Sequence, residues 1–511
     1  MKRSERTKLK KSLSPTAIWA VALGSIIGWG CFIQGANWTA RAGGPLPLLI
    51  GFIIGGLLMS VVGRSYSYMI AKFPVAGGEF AYAYQGYGRI ASFICGWMLA
   101  LGYLSIVALN ATALPVLAGY LFPGVFNQGF LYTIAGYDIY AGEVILSVSF
   151  IVLFGVLNYL GAKFVGNIQL IMVLIMCAAV AISLAGVSLT GNFHVENLLP
   201  AYGEGKSFVS GFLSILALAP FLYVGFDCIP QAAEEYNFPP QKAKRLISTA
   251  LFAGALIYAV MALVTDVVIP WTDMIQLTSA TGAPVKWHTG AIIDMAMGTA
   301  GVAFVVIAVC MGIFTGLNGF FMTSSRLIFC MARANMLPKA FAYIHPTYKT
   351  PSTCVVFATA ICVICPFFGR EVLNWVVDMC SVGTAFGYFF TCAGAYILVK
   401  QHDGAEHDKP ISKVTAIAGC LISAAILCLL IIPGSPAFMS VQSFIALGIW
   451  IFLGLGFFGY SCKKIKNISK REMDYLILGN VQVRLGLRKQ HKQEDYLIGQ
   501  LVECHHSETK Q

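Results

Sequence analysis

Two short runs in this sequence have residue types and spacing suited to holding a small charged molecule. Gly24-Ser25-Ile26-Ile27-Gly28-Trp29-Gly30 lies within residues 16–40, a stretch without charge until its end. Pro220-Phe221-Leu222-Tyr223-Val224-Gly225-Phe226-Asp227 lies within residues 208–232, where Asp227 is the only charged residue. Three glycines in seven positions loosen the first helix. In the second, Pro220 cannot donate an amide hydrogen and Gly225 loosens the next turn. An unwound helix leaves free carbonyls on the ending half and free amides on the restarting half. The amides of Gly28, Trp29 and Gly30 suit a carboxylate. The carbonyls of Ile26, Phe221, Leu222 and Val224 suit an ammonium group. A zwitterion complements both, and Ser25, Ile27 and Gly225 complete the same backbone wall. The competing reading is that these glycines serve only close helix packing. It suits GFIIGG (51–56) and GTAFG (383–387) better, because there no second break matches them.

The elements that must carry these runs are membrane helices. Of 511 residues, 58% are hydrophobic and 11% charged, with a mean hydropathy of +0.75. Soluble domains carry about 25% charged residues. Stretches of roughly 20 apolar residues occur near 16–40, 46–70, 92–121, 141–160, 164–190, 208–232, 246–269, 299–330, 351–369, 372–399, 414–432 and 439–461. The expected fold is therefore an all-α polytopic membrane protein of about twelve transmembrane helices, with spans 1 and 6 discontinuous. Unwound backbone survives at that depth only where protein or a water-filled cavity satisfies it. Paired interruptions at corresponding places in two halves point to a transporter's midplane site.

The net charge of +11 is an orientation signal. With both termini cytoplasmic, Arg41, Lys206, Lys286 and Arg370 fall outside. Twenty of the remaining Lys and Arg residues lie inside even when the last ten, after Cys462, are set aside. A nucleic-acid role is not expected. The loop 71–90 keeps five aromatics among its glycines and is expected to pack beneath the bundle. The outer segment 270–298 has room for a short helix. The fifteen cysteines sit mostly in apolar spans and make no disulfide framework. Cys362 and Cys365 read as apolar filler, and the ECHH run (503–506) as a solvated tail. No HExxH, GxSxG or Walker-type loop is found, so neither an enzyme, a metal site nor a cofactor is expected.

Asp227 is a candidate gate or coupling residue because an acid at that depth is a functional hypothesis by default. Tyr103, Thr315, Asn318 and Asp378 are further candidates for gating or coupling, and Ser105 and Asn110 for lining the pocket. Tyr103, Ser105, Asn110, Thr315 and Asn318 read, each alone, more often as an interhelical hydrogen bond, and Asp378 alternatively as an ordinary carboxylate close to water. Asp266 is expected at the interface. Arg326 is expected to snorkel or pair with a gate residue, and Glu234 and Glu235 to be gate or orientation charges beside Lys242, Lys244 and Arg245.

The residues also resemble a family. GSIIGWG (24–30) looks like the first-span signature of the amino acid–polyamine–organocation permeases. PFLYVGFDCIPQAAEEYNFPPQKAKR (220–245) is similar to their sixth span and following loop, and GLNGFFMTSSRLIFCMARANMLPKAFAYIHPTYKTP (316–351) to their eighth. The resemblance implies a LeuT-like fold: a five-plus-five inverted repeat, two added helices and alternating access. It implies an amino acid carboxylate on amides around Trp29 and Gly30, its ammonium on carbonyls near Ile26 and span 6, and Phe221 as an aromatic gate. Two departures matter. The family often has Ser or Thr where Trp29 stands, and many members carry a span 5 lysine that is missing from NIQLIMVLIMCAAV (167–180).

The domains expected are a cytoplasmic tail 1–14, a transporter domain 15–462 and a cytoplasmic tail 463–511. Within the transporter domain, repeat one covers about 15–190, repeat two about 208–400, and the added helices about 414–461. The expected function is secondary active transport or exchange of amino acids across the plasma membrane. No basic side chain or cluster of acids lies at midplane depth, so a neutral zwitterion fits better than glutamate or a polyamine. The expected partners are the bilayer, the substrate and a coupling proton, sodium ion or counter-substrate. An amine or polyamine carrier, and a non-transporting sensor on a transporter scaffold, are the alternatives.

Overall fold

The computed structural model describes residues 6–134, 137–203, 207–274, 276–277, 287–401, 411–435, 438–466 and 468–479. Most of the C-terminal tail, including the ECHH run, lies outside the described residues.

Helices occupy all twelve expected ranges. Among the described residues, ten stretches are long and apolar enough to cross a membrane, and Ser352–Phe368 is a shorter apolar helix. Span 6 is missing from the ten because it is in pieces: Phe208–Leu216, Ala219–Tyr223 and Cys228–Gln231. Span 1 is Pro15–Ile27 followed by Gly30–Ile33 and Gly35–Ala42. Its start is fixed by local chemistry. The Ser14 side chain accepts from the Ala17 amide, and Pro15, with no hydrogen to lose, opens the first turn. Large apolar residues such as Leu189, Phe252, Leu421 and Phe452 stand exposed around the outside, the arrangement a lipid solvent favours. Spans 1, 6 and 8 lie inside the bundle. Span 1 packs on spans 5, 7 and 8, span 3 on spans 8 and 10, and span 2 on spans 6 and 7.

The loop 71–90 is a helix that begins at Gly78 and turns at Gly88 into span 3. Four of its five aromatics, Phe73, Phe80, Tyr82 and Tyr84, are buried, as expected. The segment 270–298 does hold a short helix, Trp271–Met274. Sequence reasoning missed an antiparallel hairpin, Phe130–Ile134 with Tyr137–Tyr140, in the loop before span 4, which has no Lys or Arg. The GFIIGG and GTAFG glycines behave as packing residues. A Cβ on Gly51 would meet Ile215, one on Gly56 would meet Ala255 and Tyr223, and one on Gly387 would meet Leu99.

Candidate functional site

Both helices break where backbone, rather than side chain, faces the bundle interior. The first half of span 1 ends at Ile27. Gly28 then takes φ 52°, ψ −149°, a conformation that L side chains rarely adopt, and its amide closes the helix on the Gly24 carbonyl at 3.1 Å. Trp29 is buried, and the helix restarts at Gly30. In span 6 the unwound residues are Val224 to Asp227, with Gly225 at φ 134°. Pro220 is outside this break. It sits in the first turn of the short helix Ala219–Tyr223, where its missing hydrogen is harmless. Asp227 belongs to the unwound segment itself, not to the turn beyond it. Its Oδ1 accepts from the Gly225 amide at 2.7 Å, so the carboxylate braces the break.

The two breaks touch. A Cβ on Gly225 would stand 2.5 Å from the Ile26 nitrogen and 2.7 Å from the Ser25 carbonyl carbon. One side chain joins them. The Tyr258 hydroxyl, from span 7, faces the Ile26 carbonyl at 2.6 Å, the Leu222 carbonyl at 3.0 Å and the Ile27 carbonyl at 3.3 Å. Its ring packs edge-on against Trp38 and Tyr223. Sequence reasoning passed over Tyr258. The available signal was a lone tyrosine in LIYAVMALV (256–264), whose polar tip needs a partner at membrane depth.

Span 8 forms the opposite wall. The Gly28 carbonyl lies against Gly312, where no Cβ would fit. Thr315 Oγ1 donates to the Gly24 carbonyl at 3.0 Å. Gln169, in the span 5 stretch that lacks a lysine, donates to the Thr315 carbonyl at 3.1 Å and to the Ala20 carbonyl at 3.5 Å. Asn318 donates to Gln169 Oε1 at 2.7 Å and accepts from Asn158 at 3.1 Å, so it ties spans 4, 5 and 8 together rather than lining the break. Asn110 donates to its own helix at Ile106. Its buried Oδ1 has no partner among the described residues, sits beside Gly316 and lies 4.0 Å from where a Gly28 Cβ would stand. Ser25 Oγ is buried next to Gly319 and Cys228. Leu222 and Val224 are buried, while Phe221 is only half-buried. Ser105 is buried in span 3.

Several expected site residues lie elsewhere. Asp378 accepts from Ser443 of span 12 at 2.7 Å and faces Arg41, away from both breaks. Asp266 is fully buried instead of interfacial, because Thr39 of span 1 donates to it at 3.2 Å. Tyr103 does meet span 6, donating to Asp227 Oδ2 at 2.8 Å.

The face that carries the N-terminal segment is held by two ion-pair groups. Arg326 makes a two-pronged, buried pair with Glu235, at 2.7 and 3.3 Å. Glu234 takes both Arg6 and Arg333 at 3.0 Å. Burial works against the Glu234 carboxylate, but the charges of Arg333 and Arg6 outweigh it and hold its pKa below the usual range. The amides of Ser12 and Leu13 donate to the Glu235 carbonyl, which lays the N-terminal segment across the end of span 6. Cys362 and Cys365 are free thiols, the first buried. Among the described residues no three metal-ligating side chains gather.

These features define a multi-pass, all-helical membrane protein with two helices interrupted side by side. Residues 13–457 match the amino acid permease family, and the chain belongs to it. It is 27% identical to the methylthioribose transporter of Bacillus subtilis (strain 168), covering 90% of this chain and 95% of that protein. It is 23% identical to the branched-chain amino acid permease BcaP of the same organism, over 91% and 96% of the two chains. The serine/threonine exchanger SteT, also from that organism, is 24% identical over 71% of this chain and 77% of its own. The family is one of transporters, within the amino acid–polyamine–organocation group.

Proposed function

We propose that this permease is a secondary transporter or exchanger of neutral, zwitterionic amino acids. It works by alternating access in the plasma membrane, with both termini cytoplasmic. Residues 15–462 form the transporter domain, a five-plus-five inverted repeat with two added helices. The substrate carboxylate rests on the amides of Gly28, Trp29 and Gly30, and its ammonium on the carbonyls of Ile26, Phe221, Leu222 and Val224. Ser25, Ile27 and Gly225 form the wall and Phe221 the gate. Asp227, reached by Tyr103, is the coupling or gating acid; the coupling species is a proton, a sodium ion or a counter-substrate. Thr315 holds the first half of span 1 in place, and Asn318 and Asp378 act on the scaffold and the outer end.

One observation carries this reading. Carbonyls from both breaks converge on a single donor, the Tyr258 hydroxyl, and an ammonium with three hydrogens has the same requirement for several acceptors at one point. The SteT and BcaP relatives, named for serine/threonine and branched-chain substrates, support the neutral class. The test is counterflow in proteoliposomes against a panel of amino acids, putrescine and methylthioribose, with proton and sodium gradients varied separately. Accelerated exchange of neutral amino acids is expected. Exchange of putrescine or methylthioribose alone, or binding without flux, would overturn the proposal.

A further inference from the structure

A second polar cluster lies beneath the breaks, and the site described above does not use it fully. Glu79 opens the helix Gly78–Leu121 and is completely buried, as is Asp227. Glu79 reaches that depth because the Gly77-Gly78 turn fits against Cys330 of span 8 and Pro230 of span 6 with no room for a side chain. The two carboxylates share one bridging group. Tyr103 stands 2.8 Å from Asp227 Oδ2 and 3.5 Å from Glu79 Oε1. Gln231 donates to Glu79 Oε2 at 2.6 Å, and the Gly225 amide donates to Asp227 Oδ1 at 2.7 Å. Neither carboxylate has an ion-pair partner among the described residues.

Hydrogen counting exposes a deficit. A tyrosine hydroxyl has one hydrogen, and the shorter contact assigns it to Asp227. The Glu79 contact then has two oxygens facing each other with nothing between them. Another buried atom nearby is unsatisfied too: Gln231 Oε1, on the side chain that holds Glu79, has no partner among the described residues, while the Tyr66 hydroxyl is turned toward Glu79 and Thr391. The remaining titratable groups that face the pair are Tyr82, Cys95, Cys228, Cys380 and Tyr388. All are neutral in their ordinary state, so no cation on these elements compensates two negative charges. Two ionised carboxylates in such a place repel each other, and the few donors that reach them replace only part of the hydration they lose.

We propose that Glu79 and Asp227, bridged by Tyr103, form a proton-binding dyad that holds one exchangeable proton and makes the carrier proton-coupled. One proton from water binds a Glu79 oxygen, taking the pair from two negative charges to one. The new O–H donates to the Tyr103 oxygen, Tyr103 donates to Asp227, and Asp227 remains the anion that accepts from Gly225 in the span 6 break. When the proton leaves to water, the Tyr103 hydrogen must serve two anions and the pair is driven apart. The separation pulls the Glu79 helix away from span 6 at the face carrying the N-terminal segment. This deepens the transport reading, on which the coupling to substrate rests; proton binding itself does not depend on it.

The test uses the full chain in proteoliposomes. The wild type should accumulate a neutral amino acid under an inward proton gradient and lose that accumulation with a protonophore. Glu79→Gln should keep counterflow at symmetric pH while its accumulation ratio falls to one. Accumulation by Glu79→Gln equal to wild type, or accumulation driven by sodium alone, would overturn the dyad. If the wild type moves no amino acid, the transport reading fails, and infrared difference spectroscopy then decides on the dyad alone. A protonated-carboxyl band that shifts in D2O, titrates with pH and vanishes in Glu79→Gln supports it; a wild type without such a band overturns it.

Discussion

Gly225→Ala is the sharpest perturbation of the proposed site. The residue has φ 134°, where a non-glycine residue costs about 1–3 kcal/mol. The added methyl would also stand 2.5 Å from the Ile26 nitrogen and 2.7 Å from the Ser25 carbonyl carbon. Both are backbone atoms of the facing break and cannot swing aside as a side chain can. Overpacking of this kind costs about 1–3 kcal/mol. Together the two terms come to roughly 2–6 kcal/mol, and at 1.4 kcal/mol per factor of ten the low end is already about 30-fold. The control is Gly298→Ala, at φ 65° near the outer end of span 8, where nothing lies within 4 Å of the new methyl. It carries backbone strain alone. Counterflow of a labelled neutral amino acid, on proteins matched by size-exclusion profile, reads the difference. Gly225→Ala should lose at least about 30-fold in exchange while Gly298→Ala loses far less. Equal losses would show that the wedge between the breaks contributes nothing. Wild-type exchange by Gly225→Ala would refute the idea that the two unwound segments act together.

Tyr258→Phe removes the donor shared by the Ile26 and Leu222 carbonyls. Buried acceptors left bare cost about 1–3 kcal/mol, so exchange should slow by about tenfold or more, and an unchanged rate would argue against the staple. Gly30→Val should abolish substrate binding in a protein that still inserts, because its Cβ already lies 3.1 Å from the Trp38 ring; unchanged affinity measured by thermal-shift titration would remove Gly30 from the site. The Glu234 anchor has a defined pH sense. Its folded pKa is depressed, so the stabilisation is present above the ordinary glutamate value, about 4.3, and is lost as pH falls through the lower folded value. Trypsin cleavage at Lys8, Lys10 and Lys11 should therefore be slow in the wild type across neutral pH and fast in Glu234→Gln; equal rates would refute the anchor.

The helical class and the two breaks were legible because bilayer chemistry writes them coarsely, as long apolar runs and as glycine and proline inside them. Gly28 and Gly225 could be found for that reason. Pro220 marks a different interruption from Gly225: its missing amide hydrogen falls harmlessly in the first turn of the short helix Ala219–Tyr223, just past the gap that follows Leu216. Tyr258, Gln169 and Glu79 were invisible for a different reason. Each acts on backbone or side chains far away in sequence, and a single tyrosine, glutamine or glutamate at a span or loop has no local spacing to mark it. Asp266 shows the same limit. Its place near the end of span 7 suggested water, but Thr39, 227 positions earlier, takes it inside. The hairpin after span 3 was masked by reading every element against a helical expectation.

The hydrogen bonds divide span 1 into two pieces with separate loyalties. Residues 15–27 are tied to spans 5 and 8 through Gln169 at Ala20 and Thr315 at Gly24, and their N-terminal approach is tied to the end of span 6 through Glu235. Residues 30–42 are tied to the other end of the bundle, through Trp287 at the Phe32 carbonyl and Asp266 at Thr39. Between the pieces the Tyr258 hydroxyl and the packing of Gly28 against Gly312 hold the backbone. An intact helix would transmit any tilt of one end to the other through its ladder of bonds. Here the ladder is interrupted at Gly28, so each half follows its own partners, and the interrupted backbone is also the backbone that faces span 6. A ligand bridging Ile26 and Gly30 would replace the missing rungs, so its binding energy acts on the joint between the two halves.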